Sequence, residues 1–178
     1  MTATTTVRRH ARYGPTDHYL SPPIAGMCLS VFALVERGSE VLVGVPKRHQ
    51  RWTSEWLLAW HFYEEEELKE ALLEKRLPST YLWEGEDPKR ALCRIMNDQL
   101  HVRKFKAAGP RVLSYYSPSD WYPGNSHWDI AMVYSVRVSE PVRKLPWWKQ
   151  LGFVERSKLR ARDFGWNSDF VKDLGIAK

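Results

Sequence analysis

The residue types that could do metal chemistry in this chain concentrate between 77 and 102, in LPSTYLWEGEDPKRALCRIMNDQLHV. Glu86 follows a turn at Glu84-Gly85, and Arg94 opens the run Arg94-Ile95-Met96-Asn97-Asp98-Gln99. On an α-helix, positions 95, 98 and 99 stand at i, i+3 and i+4 and share one face. Three carboxylates at that spacing, beside a glycine loop, would hold Mg2+ or Mn2+ against a diphosphate, because such hard cations take oxygen ligands and complete their shell with water and phosphate. Here the face offers one carboxylate, Asp98, a neutral amide, Gln99, and an aliphatic group, Ile95. Asp98 and Gln99 are therefore candidate catalytic residues, and Asp98 a candidate metal ligand. Each missing carboxylate removes several kcal/mol of attraction for a dication at an effective dielectric near ~20, so metal affinity should be weak.

The elements that must position these groups can be read outward from them. Asp87 supplies an N-cap oxygen and Pro88 sits at the first helical position, where its missing N–H is harmless, so the sequence predicts a helix from Pro88 to about His101. Upstream, the β-branched runs 27–35 and 41–45, joined by Glu36-Arg37-Gly38-Ser39-Glu40, predict a strand hairpin. Downstream, 111–117 and 127–138 predict two more strands. In the second, Trp128, Ile130, Met132, Tyr134, Val136 and Val138 alternate along one face, which is expected to be core. Asn167 or Ser168 suits the start of a short C-terminal helix that Gly175 would stop. Between 47 and 76 the pattern predicts a helix from about Tyr63 to Arg76, whose acidic run Glu64 to Glu67 reads as a solvated face.

The composition sets outer limits. The 178 residues are 43% hydrophobic and 27% charged, enough for one domain with a sizeable core. No apolar run approaches the ~18 residues of a membrane span, and residues 1–23 read as a polar arm rather than a secretory signal. Two cysteines, Cys28 and Cys93, form neither a disulfide framework nor a zinc site. They are expected as buried small side chains in a reducing, cytoplasmic setting. A net charge of +6 favours polyanionic partners such as nucleotides or RNA. Arg156, Lys158, Arg160 and Arg162, interleaved with Trp147, Trp148 and Trp166, could combine phosphate contact with base stacking, and with Arg94 they make up the candidate binding residues.

The 77–102 stretch resembles a Nudix box, the loop–helix signature of the Nudix hydrolase superfamily. Laid on the chain without gaps, the register is fixed by Leu77-Pro78, Gly85-Glu86, Ala91-Leu92, Arg94, Met96 and Val102. Glu86 and Arg94 match the signature. Its leading glycine falls on Thr80, its later acids on Ile95, Asp98 and Gln99, and its late glycine on His101. The resemblance implies an α/β fold, a Nudix-type α/β/α sandwich with a mixed sheet, over residues 24–178, with 47–76 as a helical insertion before the box. It also implies a divalent metal, Mg2+ or Mn2+, in members that hydrolyse diphosphates.

The departures at Ile95 and Gln99 bear on activity. With them, Glu86 and Arg94 are expected to serve structure, as a buried ion pair holding loop to helix. The resulting expectation is a Nudix-fold protein that binds a nucleotide, RNA or a protein partner, with diphosphate hydrolysis lost or very weak. The alternative is a divergent Mg2+-dependent pyrophosphohydrolase with Glu86, Asp98 and Gln99 as catalytic candidates around the ion and Glu86 beside Asp98 as metal ligand, which would need a further acid from Glu84, Asp120 or the 64–67 run. His127 and Asp129 could line a pocket mouth. A third reading is an assembly subunit with the insertion helix and the segment from Leu145 to Phe153 as contact surface.

Overall fold

The computed structural model describes residues 12–13, 27–46, 75–83, 85–117, 127–145 and 148–178. Seven strands form one mixed sheet: β1 (Arg12–Tyr13), β2 (Met27–Arg37), β3 (Glu40–Pro46), β4 (Ser79–Tyr81), β5 (Phe105–Ser117), β6 (His127–Val138) and β7 (Trp148–Glu155). The main path runs β5-β6-β2-β3-β7, with β1 and β4 also paired to β2. β2 and β6 run parallel, from Met27 opposite Trp128 to Val35 opposite Val136, and the other pairs are antiparallel.

The hairpin predicted from 27–45 is present, with Gly38 at φ 62 in its turn. Its strands pair only at the turn, through Glu36 with Val41 and Arg37 with Glu40. Beyond that point residues 76–82 enter the fork. Arg76 exchanges both backbone hydrogen bonds with Gly44 on β3, at 2.7 and 3.0 Å, while β4 pairs with β2 from Ser30 opposite Tyr81 to Phe32 opposite Ser79. The box loop is thus stitched between two diverging strands. Lys75 and Arg76 end the predicted 63–76 helix in the sequence reading, but Arg76 sits in a β-bridge. The rest of that helix, with Glu64 to Glu67, lies outside the described residues.

Alternation along β2 feeds two cores. Phe32 and Leu34 point into one, with Val41, Val43, Ala131 and Val133, under a C-terminal layer of Leu159, Ala161, Phe164, Phe170, Val171 and Ile176. Val31, Ala33 and Val35 point into the other, with Tyr134 and Val136, under the box helix residues Ala91, Leu92, Ile95, Met96 and Leu100. This is an α/β/α sandwich. β6 therefore departs from the one-sided reading: Tyr134 and Val136 are buried, but so are Ala131 and Val133 on the opposite face. An interior strand between β5 and β2, covered on both sides, has no solvent face at its centre.

Other differences are local. β5 begins at Phe105, not 111, and continues across Gly109-Pro110 with a register shift. β4 and β7 were not anticipated. The start of β1 lies within the segment read as a loose arm, yet Arg12 and Tyr13 pair with Cys28 and Met27. Cys93, expected inside, is exposed. The C-terminal helix α2 (Ser168–Asp173) begins after Asn167 and ends before Gly175 at φ 68, as read, although Asn167 makes no side-chain capping bond. No described helix is long and apolar enough to cross a membrane.

Candidate functional site

The box helix starts as the sequence dictates. Helix α1 (Pro88–Arg94) is capped by Asp87, whose Oδ1 accepts from the Lys89 amide at 2.7 Å. Just before it, Gly85 takes φ 70, and the Glu86 amide donates to the Trp83 carbonyl at 2.9 Å. That tight turn aims the Glu86 carboxylate back at the helix.

There it meets Arg94 in a two-point ion pair, Nε to Oε1 at 2.8 Å and Nη2 to Oε2 at 2.7 Å. The Trp83 amide donates to the same Oε2 at 3.0 Å. Two of the three remaining guanidinium hydrogens go to Thr80 Oγ1 at 3.1 Å and the Tyr81 carbonyl at 2.8 Å, and Cζ lies 3.7 Å from the centre of the Trp83 ring. The side chains are 17% and 7% exposed, Arg94 and Glu86 respectively, so the pair is largely withdrawn from water. Burial by itself raises the Glu86 carboxyl, but hydrogen bonds from Arg94 and Trp83, with the charges of Arg94 and Arg90, outweigh it and hold the group below its ordinary value. Thr80, at the position of the signature's leading glycine, adds an acceptor to this latch.

After Arg94 the helix changes. Ile95–Gln99 forms a π-helical turn, with i→i+5 hydrogen bonding in place of i→i+4. Each residue then advances roughly 80° about the axis instead of ~100°, which leaves residue 99 about 40° from 95, as on an α-helix, but swings 98 from about 60° to about 120° away. The expectation that 95, 98 and 99 share a face does not hold: Ile95 is 0% and Gln99 1% exposed, while Asp98 is exposed to solvent. Gln99 donates from Nε2 to the Ser79 carbonyl at 2.7 Å, and its Oε1 has no hydrogen-bond partner among the described residues. From β7, Trp148 donates its indole N–H to the Gln99 carbonyl at 3.2 Å. That ring lies over Gly44, where any Cβ would collide with it. Partial burial raises the Asp98 carboxyl, against the opposing charge of Arg94.

The helix closes on His101, which takes φ 55 where the signature has glycine, and the Val102 amide then reaches the Met96 carbonyl at 2.8 Å. The left-handed residue demanded by the motif is kept although glycine is not.

A box-bound dication does not fit the residues described here. Glu86 already accepts three hydrogen bonds, Ile95 and Gln99 face the core, and of positions 95, 98 and 99 Asp98 alone presents a carboxylate to solvent. Among the described residues no three His, Cys, Asp or Glu side chains converge on a common point. Glu84, Asp120 and residues 64–67 lie outside them, as does the side chain of His127, and Asp129 is half-buried on β6.

The basic candidates divide. Arg156 is a strut: it forms an ion pair with Glu36 on β2 and reaches the Gly175 carbonyl at 3.5 Å. Lys158 is exposed, and the Trp147 and Trp166 side chains lie outside the description. Arg160 and Arg162 line an open depression with Lys172 and Lys178, two lysines for which the sequence carried no spacing signal.

The overall fold matches a known architecture. The MutT Nudix hydrolase from Burkholderia pseudomallei superposes with a TM-score of 0.52 at 18% identity, over 73% of this chain and 84% of that one. The chain has the Nudix fold. Other Nudix-fold structures resemble it more distantly. The dihydroneopterin triphosphate pyrophosphohydrolase of E. coli gives a TM-score of 0.49 at 7% identity, over 72% of this chain and 80% of that one. The Nudix domain of Shewanella oneidensis NrtR, solved with ADP ribose, gives 0.48 at 12%, over 78% and 79%. No protein-family model and no curated protein matches the sequence.

Proposed function

We propose that this Nudix-fold chain is a binding protein, for a nucleotide, an RNA or a protein partner, in which diphosphate hydrolysis is lost or very slow. The observation that carries the reading is the burial of Ile95 and Gln99, with the Gln99 amide bonded to the Ser79 carbonyl. A face that must hold a hydrated dication stays wet and charged. Here Ile95 belongs to the hydrophobic core beneath the sheet and Gln99 is buried, while the ion pair of Glu86 with Arg94 is hydrogen-bonded to the loop it fastens. The net charge of +6 favours a phosphate-bearing ligand.

The test is release of phosphate or pyrophosphate from nucleoside triphosphates and diphosphate-linked nucleotides, with Mg2+ or Mn2+, beside a thermal-shift screen of nucleotides and short RNA. Turnover at the level of the protein-free control, with a ligand that raises the melting temperature, is the expected result. Robust turnover abolished by Asp98→Asn would overturn the proposal in favour of a divergent metal-dependent pyrophosphohydrolase.

A further inference from the structure

The C-terminal layer, on the side of the sheet opposite the box helix, carries a concentration of positive charge. Leu159 and Ala161 are 1% and 3% exposed and anchor the chain inward, which turns Arg160 and Arg162 out to solvent. The positive φ of Gly165 kinks the chain before α2, whose Phe170 and Val171 are buried while Lys172 faces out. Gly175 then turns the chain back, so that the Ala161 amide donates to the Lys178 carbonyl at 2.8 Å and Lys178 comes beside Arg160.

The product is an open depression of about 590 Å³ lined by Arg160, Arg162, Lys172, Lys178, Ser168 and the small residues Ala161 and Gly165. No acidic side chain lines it among the described residues. Asp169 pairs with Lys172 at 3.0 Å but is 78% exposed, and Asp163 is engaged by Lys75 at 2.6 Å on the adjoining turn. The hydrogen bond from Lys75, with the charges of Lys75, Arg160 and Arg162, holds the Asp163 carboxyl below its ordinary value. Arg160, Arg162 and Lys178 form no ion pair among the described residues, so the depression presents positive charge that an anion can meet. Two planar guanidinia, two ammonium groups and a hydroxyl around a small-residue floor suit an anion with several oxygens.

We infer that this depression binds a compact, multiply charged phosphate group, either a free oligophosphate or the phosphate chain of a nucleotide. The inference rests on the binding reading above and places the ligand away from the box face.

The experiment measures binding of tripolyphosphate, ATP and a hydroxyl-ended ribo-oligonucleotide by titration calorimetry at physiological ionic strength. The proteins are wild type, Arg160→Gln/Arg162→Gln, and the control Lys106→Gln/Arg111→Gln, which removes equal charge from exposed positions on β5. Melting temperatures establish that each variant is folded. Tripolyphosphate and ATP should bind the wild type and the control alike, within two-fold, and bind the Arg160/Arg162 variant at least ten-fold more weakly. ATP binding more tightly than tripolyphosphate would support the nucleotide source, and equal affinity the free one. Equal weakening in both variants, no binding by either phosphate, or tighter binding of the hydroxyl-ended oligonucleotide would overturn the inference. Robust hydrolysis in the turnover assay would instead remove the proposed loss of activity and leave this binding result untouched, so the two failures are distinguishable.

Discussion

Among the described residues of 80–94 the charged side chains that face inward are paired, whereas in residues 95–101 the inward positions carry no charge at all. The first stretch binds Glu86, Arg94, Thr80, Tyr81 and Trp83 into one hydrogen-bonded unit. The second turns Ile95, Met96, Gln99 and Leu100 into the core and leaves Asp98 outside. Even the two acids move oppositely, Glu86 becoming a stronger acid and Asp98 a weaker one. An ion pair with a full set of partners is self-sufficient and can hold a loop whether or not a metal is bound. A face of carboxylates is not, since like charges at that spacing need a cation between them. With Ile95 and Gln99 at positions 95 and 99, these two side chains are buried beside the latch and need no cation between them.

The largest test of this contrast restores the acids. Ile95→Glu with Gln99→Glu should lower stability by more than about 5 kcal/mol, because both carboxylates would enter a dry core without partners. Added Mg2+ should recover little of it in thermal melts. A melting temperature near that of the wild type with a strong Mg2+ response would show that the face opens to solvent and can bind metal.

Next in size is the latch. Arg94→Ala and Glu86→Ala should each lower stability by about 3–5 kcal/mol, since each leaves a largely buried charge without its partner. The double variant should lose clearly less than the sum in urea titrations. Additive losses would mean that the pair does not act as a unit. Because the folded Glu86 carboxyl lies below the ordinary 4.5, its contribution is fully present above that pH and disappears as pH falls through the lowered value. The stability gap between wild type and Glu86→Gln should therefore be constant from neutral pH down to about 4.5 and narrow below it.

Smaller effects probe the end of the π turn. Trp148→Phe keeps a ring over Gly44 but removes the donor to the Gln99 carbonyl, and should lower stability by about 1–2 kcal/mol. No change would show that the indole contact does not support the turn. His101→Gly, by contrast, should raise stability by about 0.5–1 kcal/mol, relief of the left-handed backbone outweighing the added chain entropy. A loss there would mean that the imidazole makes contacts worth more than the strain.

The sequence by itself determined the parts of this protein governed by local chemistry and strict periodicity. The Asp87-Pro88 start, the β2–β3 hairpin at Gly38, the stop at Gly175 and the gapless register that joins Glu86 to Arg94 were all legible, because each depends on neighbours along the chain or on a pattern repeated in order. The tertiary structure alone decided which way residues 95–99 face. A run of apolar positions reads as continuous α-helix whether or not one turn widens. Widening is favoured here by contacts from distant segments: Ser79 on β4 takes the Gln99 amide, and Trp148 on β7 takes its carbonyl. The same holds at the C-terminus, where Lys172 and Lys178 join Arg160 and Arg162 only because Gly165 and Gly175 fold the chain back on itself. Spacing along a chain fixes what lies within one turn or one strand; packing between elements, which fixes the rest, has no fixed spacing to read.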